Sequence, residues 1–188
     1  MDAIVKQAMA KWPNVPDCYG WLGLDRRGHW WLRDFAAQAA GLFAVSKGSR
    51  LEHVQLIAFI ERNYAVDERG CWFFQNGPQR VFVELENTPL VWRVQDDGRV
   101  RSHAESAEMP RQCLLDEEGL LYLHTSQGLG LVHTQDMWQA ADWLEQGGWP
   151  APQVQAWAQL PQQFGFVRSP QALVEQGEGR APVSQPQQ

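Results

Sequence analysis

Apolar and polar positions along this chain change their spacing several times, and each change predicts an element. Residues 3–11 are spaced as a short amphipathic helix, stopped by Pro13 and Pro16. Ser49-Arg50-Leu51-Glu52 reads as a capping box, in which the serine hydroxyl meets the Glu52 amide, and it predicts a helix to about Asn63. Leu51, Val54, Leu56, Ile57, Phe59 and Ile60 cover most of that helix, which predicts a central helix buried by more than one neighbour. Met137, Ala140, Ala141 and Leu144 form one stripe on a helix over 135–146, with Thr134 as N-cap and Gly147-Gly148 as its stop. Pro152 starts a further short helix closed by Pro161. Between these lie short strands: 19–24 with 29–33, then 71–75, 79–85, 90–94, 112–115, 120–125 and 131–133. Residues 34–48 are irregular and 103–111 form a polar loop.

The strands are punctuated by a recurring tetrad, Asp-x-x-Gly followed by bulky apolar residues. It stands at Asp25–Gly28, Asp67–Gly70 and Asp116–Gly119, with a shorter relative at Asp96-Asp97-Gly98. Asp at the first position and Gly at the fourth suit a type I turn whose glycine launches the second strand of a hairpin. The fold class this predicts is α+β: antiparallel hairpins packed on a central helix, the unit approximately repeated. Residues 1–100 form an N-terminal α+β unit and 101–170 a C-terminal one packed against it. The Gln-, Gly-, Pro- and Glu-rich residues 171–188 are expected to be disordered.

Apolar matching sets a register. Pairing Leu85 with Leu90, Val83 with Trp92 and Val81 with Val94 makes a hairpin around 86–89. Pairing Phe73 with Val81 and Cys71 with Val83 makes one around 76–78. The opposite face of this sheet then gathers Trp72, Phe74, Phe82, Arg80, Glu84 and Arg93, with Gln75 and Asn76 at its end. Arginine over aromatic rings can grip an anionic or planar ligand, and the same mixture suits a protein interface. These eight residues are the candidate binding site.

Ten tryptophans among 188 residues fit core packing, with a stacking surface for a saccharide as the alternative. Net charge is −6, and the imbalance is confined to one half: residues 1–94 carry 11 basic and 10 acidic side chains, residues 95–188 carry 5 and 12. An acidic half without any Lys/Arg run argues against nucleic-acid binding. No segment has the length of a membrane span or the pattern of a signal peptide, and no membrane partner is expected. Cys18, Cys71 and Cys113 are odd in number and widely spaced, which reads as reduced thiols in the cytoplasm.

Other chemistry is thin. His124 and His133 could face each other across a hairpin, but no further ligand is spaced for a metal. Gly128-Leu129-Gly130 lacks the remainder of a phosphate loop, and Ser126 lacks a nucleophile elbow. Asp96-Asp97 and Asp116-Glu117-Glu118 read as solvated acids on turn tips. No metal and no cofactor is expected. An enzyme would have to gather scattered residues, with His53, His124, His133, Cys71 and Glu84 as candidates.

From Ser49 to Val94 the order is a capped helix, Asp67-x-x-Gly70-x-Trp72-Phe73, a turn, Val81-x-Val83-Glu84, then Pro89-Leu90-Val91. This resembles uncharacterised proteobacterial families built from repeated helix-plus-hairpin motifs. For one such family a part in signal transduction through a ligand or partner site has been suggested. The resemblance covers about a quarter of the chain closely and carries over no catalytic residue. The function expected is a non-enzymatic cytoplasmic binding or regulatory protein that contacts a small anionic or planar ligand, or a partner protein. A homodimer remains open.

Overall fold

The computed structural model describes residues 1–103 and 105–178, without the side chains of residues 105, 106 and 178. It is a mixed α+β fold built on two sheets. The first contains β1 (Cys18–Leu24), β2 (Trp30–Leu32), β3 (Ser49–Arg50), β4 (Tyr64–Val66), β5 (Trp72–Asn76) and β6 (Gln79–Leu85), in the order β3-β2-β1-β6-β5-β4. The second contains β7 (Leu90–Val94), β8 (Val100–Ser102), β9 (Glu105–Glu108), β10 (Gln112–Leu115), β11 (Leu121–Thr125), β12 (Gly128–Val132) and β13 (Gln153–Val154), in the order β13-β10-β11-β12-β7-β8-β9. The helices are α1 (Ala3–Lys11), α2 (Phe35–Ala39), α3 (Val54–Arg62), α4 (Met137–Glu145), α5 (Leu160–Gln163) and α6 (Pro170–Glu178).

Both sheets are assembled in the same way. A hairpin (β1–β2, β7–β8) lends its first strand to a parallel pairing with the last strand of a three-stranded meander (β4–β5–β6, β10–β11–β12). The registers agree as well. Leu22 pairs with Val83 in the first sheet, and Trp92 pairs with Val132 in the second. Val66↔Trp72 and Phe74↔Val81 have their counterparts in Leu115↔Leu121 and Leu123↔Gly130, at the same chain offset that separates Val83 from Val132.

The tetrads are the turns of these hairpins. In each, the Asp carboxylate accepts the amides two and four residues ahead: Arg27 and His29 on Asp25, Arg69 and Cys71 on Asp67, Glu118 and Leu120 on Asp116. The fourth turn starts at Gln95, one residue before the expected relative, with the Gly98 amide donating to the Gln95 carbonyl. The closing glycines Gly28, Gly70, Gly98 and Gly119 share φ values of 80°, 80°, 78° and 76°, a region other residues enter at a cost.

One apolar core runs through both sheets, from Leu22, Trp30 and Trp72 to Trp92, Tyr122 and Leu131. The halves also interlock through backbone hydrogen bonds, Val167 to Gly70 and Leu85 to Arg168. Among the described residues no helix is long and apolar enough to cross a membrane.

Several local expectations give way. The loop between β5 and β6 is the two residues Gly77-Pro78, because Asn76 pairs with Gln79; Phe73 therefore faces Phe82 across the ladder, not Val81. A shift of one residue turns every side chain of a strand to the other face. Residues 86–89 make no hairpin: they carry the chain from the first sheet to the second, where Thr88 Oγ1 donates to the Leu90 carbonyl and accepts the Leu131 amide. Ser49 and Arg50 lie in β3, so the predicted capping box does not form and His53 caps α3. That helix leaves Val54 and Leu56 exposed and buries Ile60, so it lies on the sheet as a half-exposed element. Pro161 sits in the first turn of α5, where its missing amide costs nothing, and does not close a helix. Residues 170–178 form α6 where disorder was expected; residues 179–188 lie outside the described residues.

Candidate functional site

Where the two sheets meet, a cleft of about 600 Å³ opens between the first tetrad turn and the β7–β8 hairpin. Arg27, Gly28 and His29 form one wall; Val91, Arg93 and Arg101 come from β7 and β8; His103 follows β8. His133, Thr134 and Gln135 close the third side, at the 3-10 turn leading into α4. The first tetrad explains the near wall. Asp25 is buried, and it accepts the Trp31 indole at 3.0 Å while Nδ1 of His29 lies 3.2 Å from its Oδ2. Burial alone would raise the Asp25 carboxyl; the bonds from the His29 amide, the Trp31 indole and the Arg27 amide more than offset this and hold it below the usual carboxylate range. The turn is thereby fixed, and the Arg27 side chain is left exposed at the cleft.

The far wall carries an electrostatic conflict. Arg93 and Arg101 stand directly opposite each other on β7 and β8. Like charges so placed destabilise a ladder. Asp136 relieves half of it, accepting Nε and Nη2 of Arg93 at 2.6 and 2.9 Å and the Val94 amide at 3.0 Å. Burial would raise the Asp136 carboxyl, and the Arg93 and Val94 bonds hold it low. Among the described residues no carboxylate pairs with Arg101 or with Arg27. The Nδ1 of His133 accepts the Gln135 amide at 3.2 Å, which places its proton on Nε2. Burial lowers the His133 pKa first, then Arg93, with His29 and Arg27 adding to the effect while Asp136 opposes it. His103 sits deeper, its ring edge-on to Trp30 at 5.6 Å and 5.3 Å from Tyr64. Neither of its nitrogens has a partner among the described residues, and burial lowers its pKa to about 4. The cleft thus offers guanidinium charge and imidazole donors, while the buried carboxylates of Asp25 and Asp136 behind its walls are already engaged.

The eight predicted site residues do not share a face. Trp72 and Phe74 point into the main core, Trp72 beside Tyr64 and Phe74 edge-on to Phe59. Phe82 lies on the opposite face, fully buried, stacked on Tyr19 at 4.6 Å and flanked by the Arg69 and Arg80 guanidinium groups at 5.5 Å each. Arg80 is engaged by Asp17 through two bonds of 3.0 Å. Glu84 is buried on that face, where it accepts the Gln171 amide, and burial raises its pKa. Gln75 is buried and donates to the Gly77 carbonyl, while Asn76 is exposed beside the turn. Arg93 alone of the eight reaches the cleft. The one-residue register shift separates Trp72 and Phe74 from Phe82, and the crossover at 86–89 carries Arg93 to the other sheet.

Of the residues named for an enzyme, Cys71 and Glu84 come close enough on one face of the first sheet for the Glu84 charge to act on the thiol, and His133 lines the cleft. His53 caps α3, His124 pairs with Leu129 in β11 and packs on Phe164, and the Cys71 thiol is buried, its pKa pushed up to about 11. Asp116 is no solvated tip acid: it is buried and accepts the Tyr122 hydroxyl at 2.8 Å. Arg27, His29, Arg101, His103 and His133 went unnoticed as a set. A signal for part of it was present: reading the fourth turn as Gln95-x-x-Gly98, in the frame of the other three, sets Arg93 opposite Arg101.

No curated protein matches the chain. Among solved structures it is similar to a DUF1285 family protein from Silicibacter pomeroyi DSS-3, at 12% identity and a TM-score of 0.47, over 76% of this chain and 84% of that one. A family model described as "Protein of unknown function (DUF2946)" matches residues 1–171, nearly the whole chain, and the protein therefore belongs to that family, DUF2944.

Proposed function

We propose that this is a non-enzymatic cytoplasmic binding protein whose cleft between the sheets takes a small anionic ligand. The observation that carries the reading is the directly opposed pair Arg93 and Arg101, with Arg27 brought up from the other sheet and only Arg93 matched by a carboxylate among the described residues. An anion bridging Arg101 and Arg27 relieves the cross-strand repulsion, gains charge-assisted hydrogen bonds, and ties one sheet to the other. The three cysteines are free thiols, which suits a reducing compartment.

Thermal shift and calorimetry with orthophosphate, citrate and sulfate, at matched ionic strength, test this. Binding should raise the melting temperature, and Arg101→Ala should weaken it about tenfold or more, the scale of one charged hydrogen-bonding group. Arg99→Ala, which removes an exposed guanidinium paired with Asp97 outside the cleft, should leave binding unchanged. Stabilisation no greater than that given by potassium chloride, or an unaltered response in Arg101→Ala, rejects the reading.

A further inference from the structure

We infer that the ligand of the arginine cleft carries two acidic groups, one held by Arg27 on the first sheet and the other by Arg101 on the second. The inference rests on the anion reading above and adds how the ligand's charge is distributed. Eleven residues line the cleft, and of these Val91 and Gly28 alone lack a polar side chain. Among the described residues no carboxylate lines it. Sites for organic ligands are ordinarily lined mostly by apolar and aromatic side chains, which take up an apolar body. Here such a body would strip water from guanidinium and imidazole donors and give them no acceptor in return. The ligand that suits this lining presents acceptors at both of its ends.

The two guanidinium groups without a carboxylate partner stand on different elements. Arg27 belongs to the first tetrad turn, between β1 and β2, and Arg101 to β8 in the other sheet. Arg93, directly across the ladder from Arg101, spends two of its donors on Asp136, so Arg101 is the member of that pair left to a ligand. Burial lowers the His133 pKa first, and then cations of both walls do, Arg93 on one and His29 and Arg27 on the other. Cations of the two sheets thus face one space, close enough for one small molecule to reach both. An inorganic anion only a few waters in size would leave most of a cleft of about 600 Å³ unfilled, since a water takes roughly 30 Å³ of the liquid. Once one acidic group is held, a second on the same molecule meets its arginine without a further loss of translational freedom.

The test is an NMR titration of the full chain, at matched ionic strength, with methylphosphonate, which has one acidic head, and ethane-1,2-diphosphonate, which has two. Phenylphosphonate, in which a ring replaces the second head, controls for bulk. Acetate and succinate are run alongside, so the second head is scored whichever kind the arginines prefer. The two-headed ligand should bind about tenfold or more tightly than methylphosphonate, the scale of one further charged hydrogen-bonding group, and phenylphosphonate should not share the gain. Arg27→Ala removes an exposed side chain, and the amide spectrum reports directly that the fold is kept. In that variant the advantage of the second head should shrink to about twofold, the statistical factor for two equal heads. Equal weakening of both ligands by Arg27→Ala would mean that both arginines grip one head, and overturns the inference while the anion reading stands. Equal binding of one-headed and two-headed ligands, or a phenylphosphonate that matches the two-headed one, does the same. Failure of every ligand to bind overturns both.

Discussion

Arg33 and His103 occupy matching places in the two sheets, each the first residue after the second strand of its hairpin. Both are polar and both are tucked inside, yet their surroundings differ. Arg33 is 1% exposed, and its guanidinium donates to the carbonyls of Gly20, Ala37, Gly41 and Ser46. It thereby ties the 34–48 segment to the sheet. His103 has aromatic neighbours and no hydrogen-bond partner among the described residues. One topological position can thus hold a clamp or a weak point, and the difference lies in whether the polar atoms find partners.

Truncation should break the comparison most sharply. Arg33→Met keeps the alkyl stem and strands four carbonyls, and should cost about 3–5 kcal/mol in urea unfolding. His103→Leu loses no hydrogen bond and should be neutral or stabilising. A cost at His103 equal to that at Arg33 would show that its nitrogens are engaged after all.

Acid sharpens the same contrast. A histidine in the unfolded chain titrates near 6.5, and His103 in the fold near 4. Between those values the unfolded chain binds the extra proton, so stability falls as pH drops from 6.5 toward 4, by at most about 3 kcal/mol. Glu61 and Glu84 have raised values and act in the opposite sense, their contribution weakening as pH rises through their range. The difference between the native chain and His103→Leu, followed by urea unfolding across this window, isolates the histidine. A difference that stays flat with pH would mean His103 titrates alike in both states.

How much of this could be read beforehand follows from range. The tetrad turns were legible, because an Asp that accepts amides two and four residues ahead and a glycine at positive φ are local matters. The β1–β2 hairpin followed from its turn. The β5–β6 register depended on whether Gly77-Pro78 or Asn76-Gly77-Pro78 formed the loop, and apolar matching could not decide between them because Val81 and Phe82 are both apolar. The parallel pairings of β1 with β6 and β7 with β12 join strands far apart in the chain, and no local signal marks them. The cleft depends on those pairings. Arg27, Arg101 and His133 come from three separate elements, so they form a set only once the sheets are in place.

The four turn glycines allow a finer comparison, since one backbone conformation sits in four surroundings. Alanine at Gly119 meets nothing within 4 Å and should show the conformational cost alone, about 1–2 kcal/mol. At Gly98 the new methyl would press on the Trp143 ring at 3.0 Å, and about 1 kcal/mol more is expected. At Gly70 it would be driven into the backbone carbonyl of Gly165, which cannot swing aside as a side chain can, so the total should reach about 3 kcal/mol. Unfolding midpoints in the order Gly119→Ala, Gly98→Ala, Gly70→Ala, highest first, are the expected result. Three equal losses would mean that the backbone conformation, and not the surroundings, sets the cost.

The smallest effect concerns what the Asp adds to a turn that glycine already permits. The Gln95 turn keeps the backbone hydrogen bonds of the other three without a carboxylate at its first position. Its Arg99 amide, the one an Asp would accept four residues ahead, is taken instead by Asp97 Oδ1 at 3.1 Å. Gln95→Asn would supply a carbonyl oxygen of the right reach without adding charge beside Asp96 and Asp97. The gain open to it is the Asp97 amide, and the loss is the long bond of 3.3 Å from Gln95 to the Arg93 carbonyl. The balance should stabilise by about 0.5 kcal/mol, the lower end of a side-chain cap. An unchanged unfolding midpoint would show that the glycine suffices for the turn, and that the carboxylates of Asp25 and Asp116 matter more for the Trp31 indole and the Tyr122 hydroxyl they hold than for the backbone they cap.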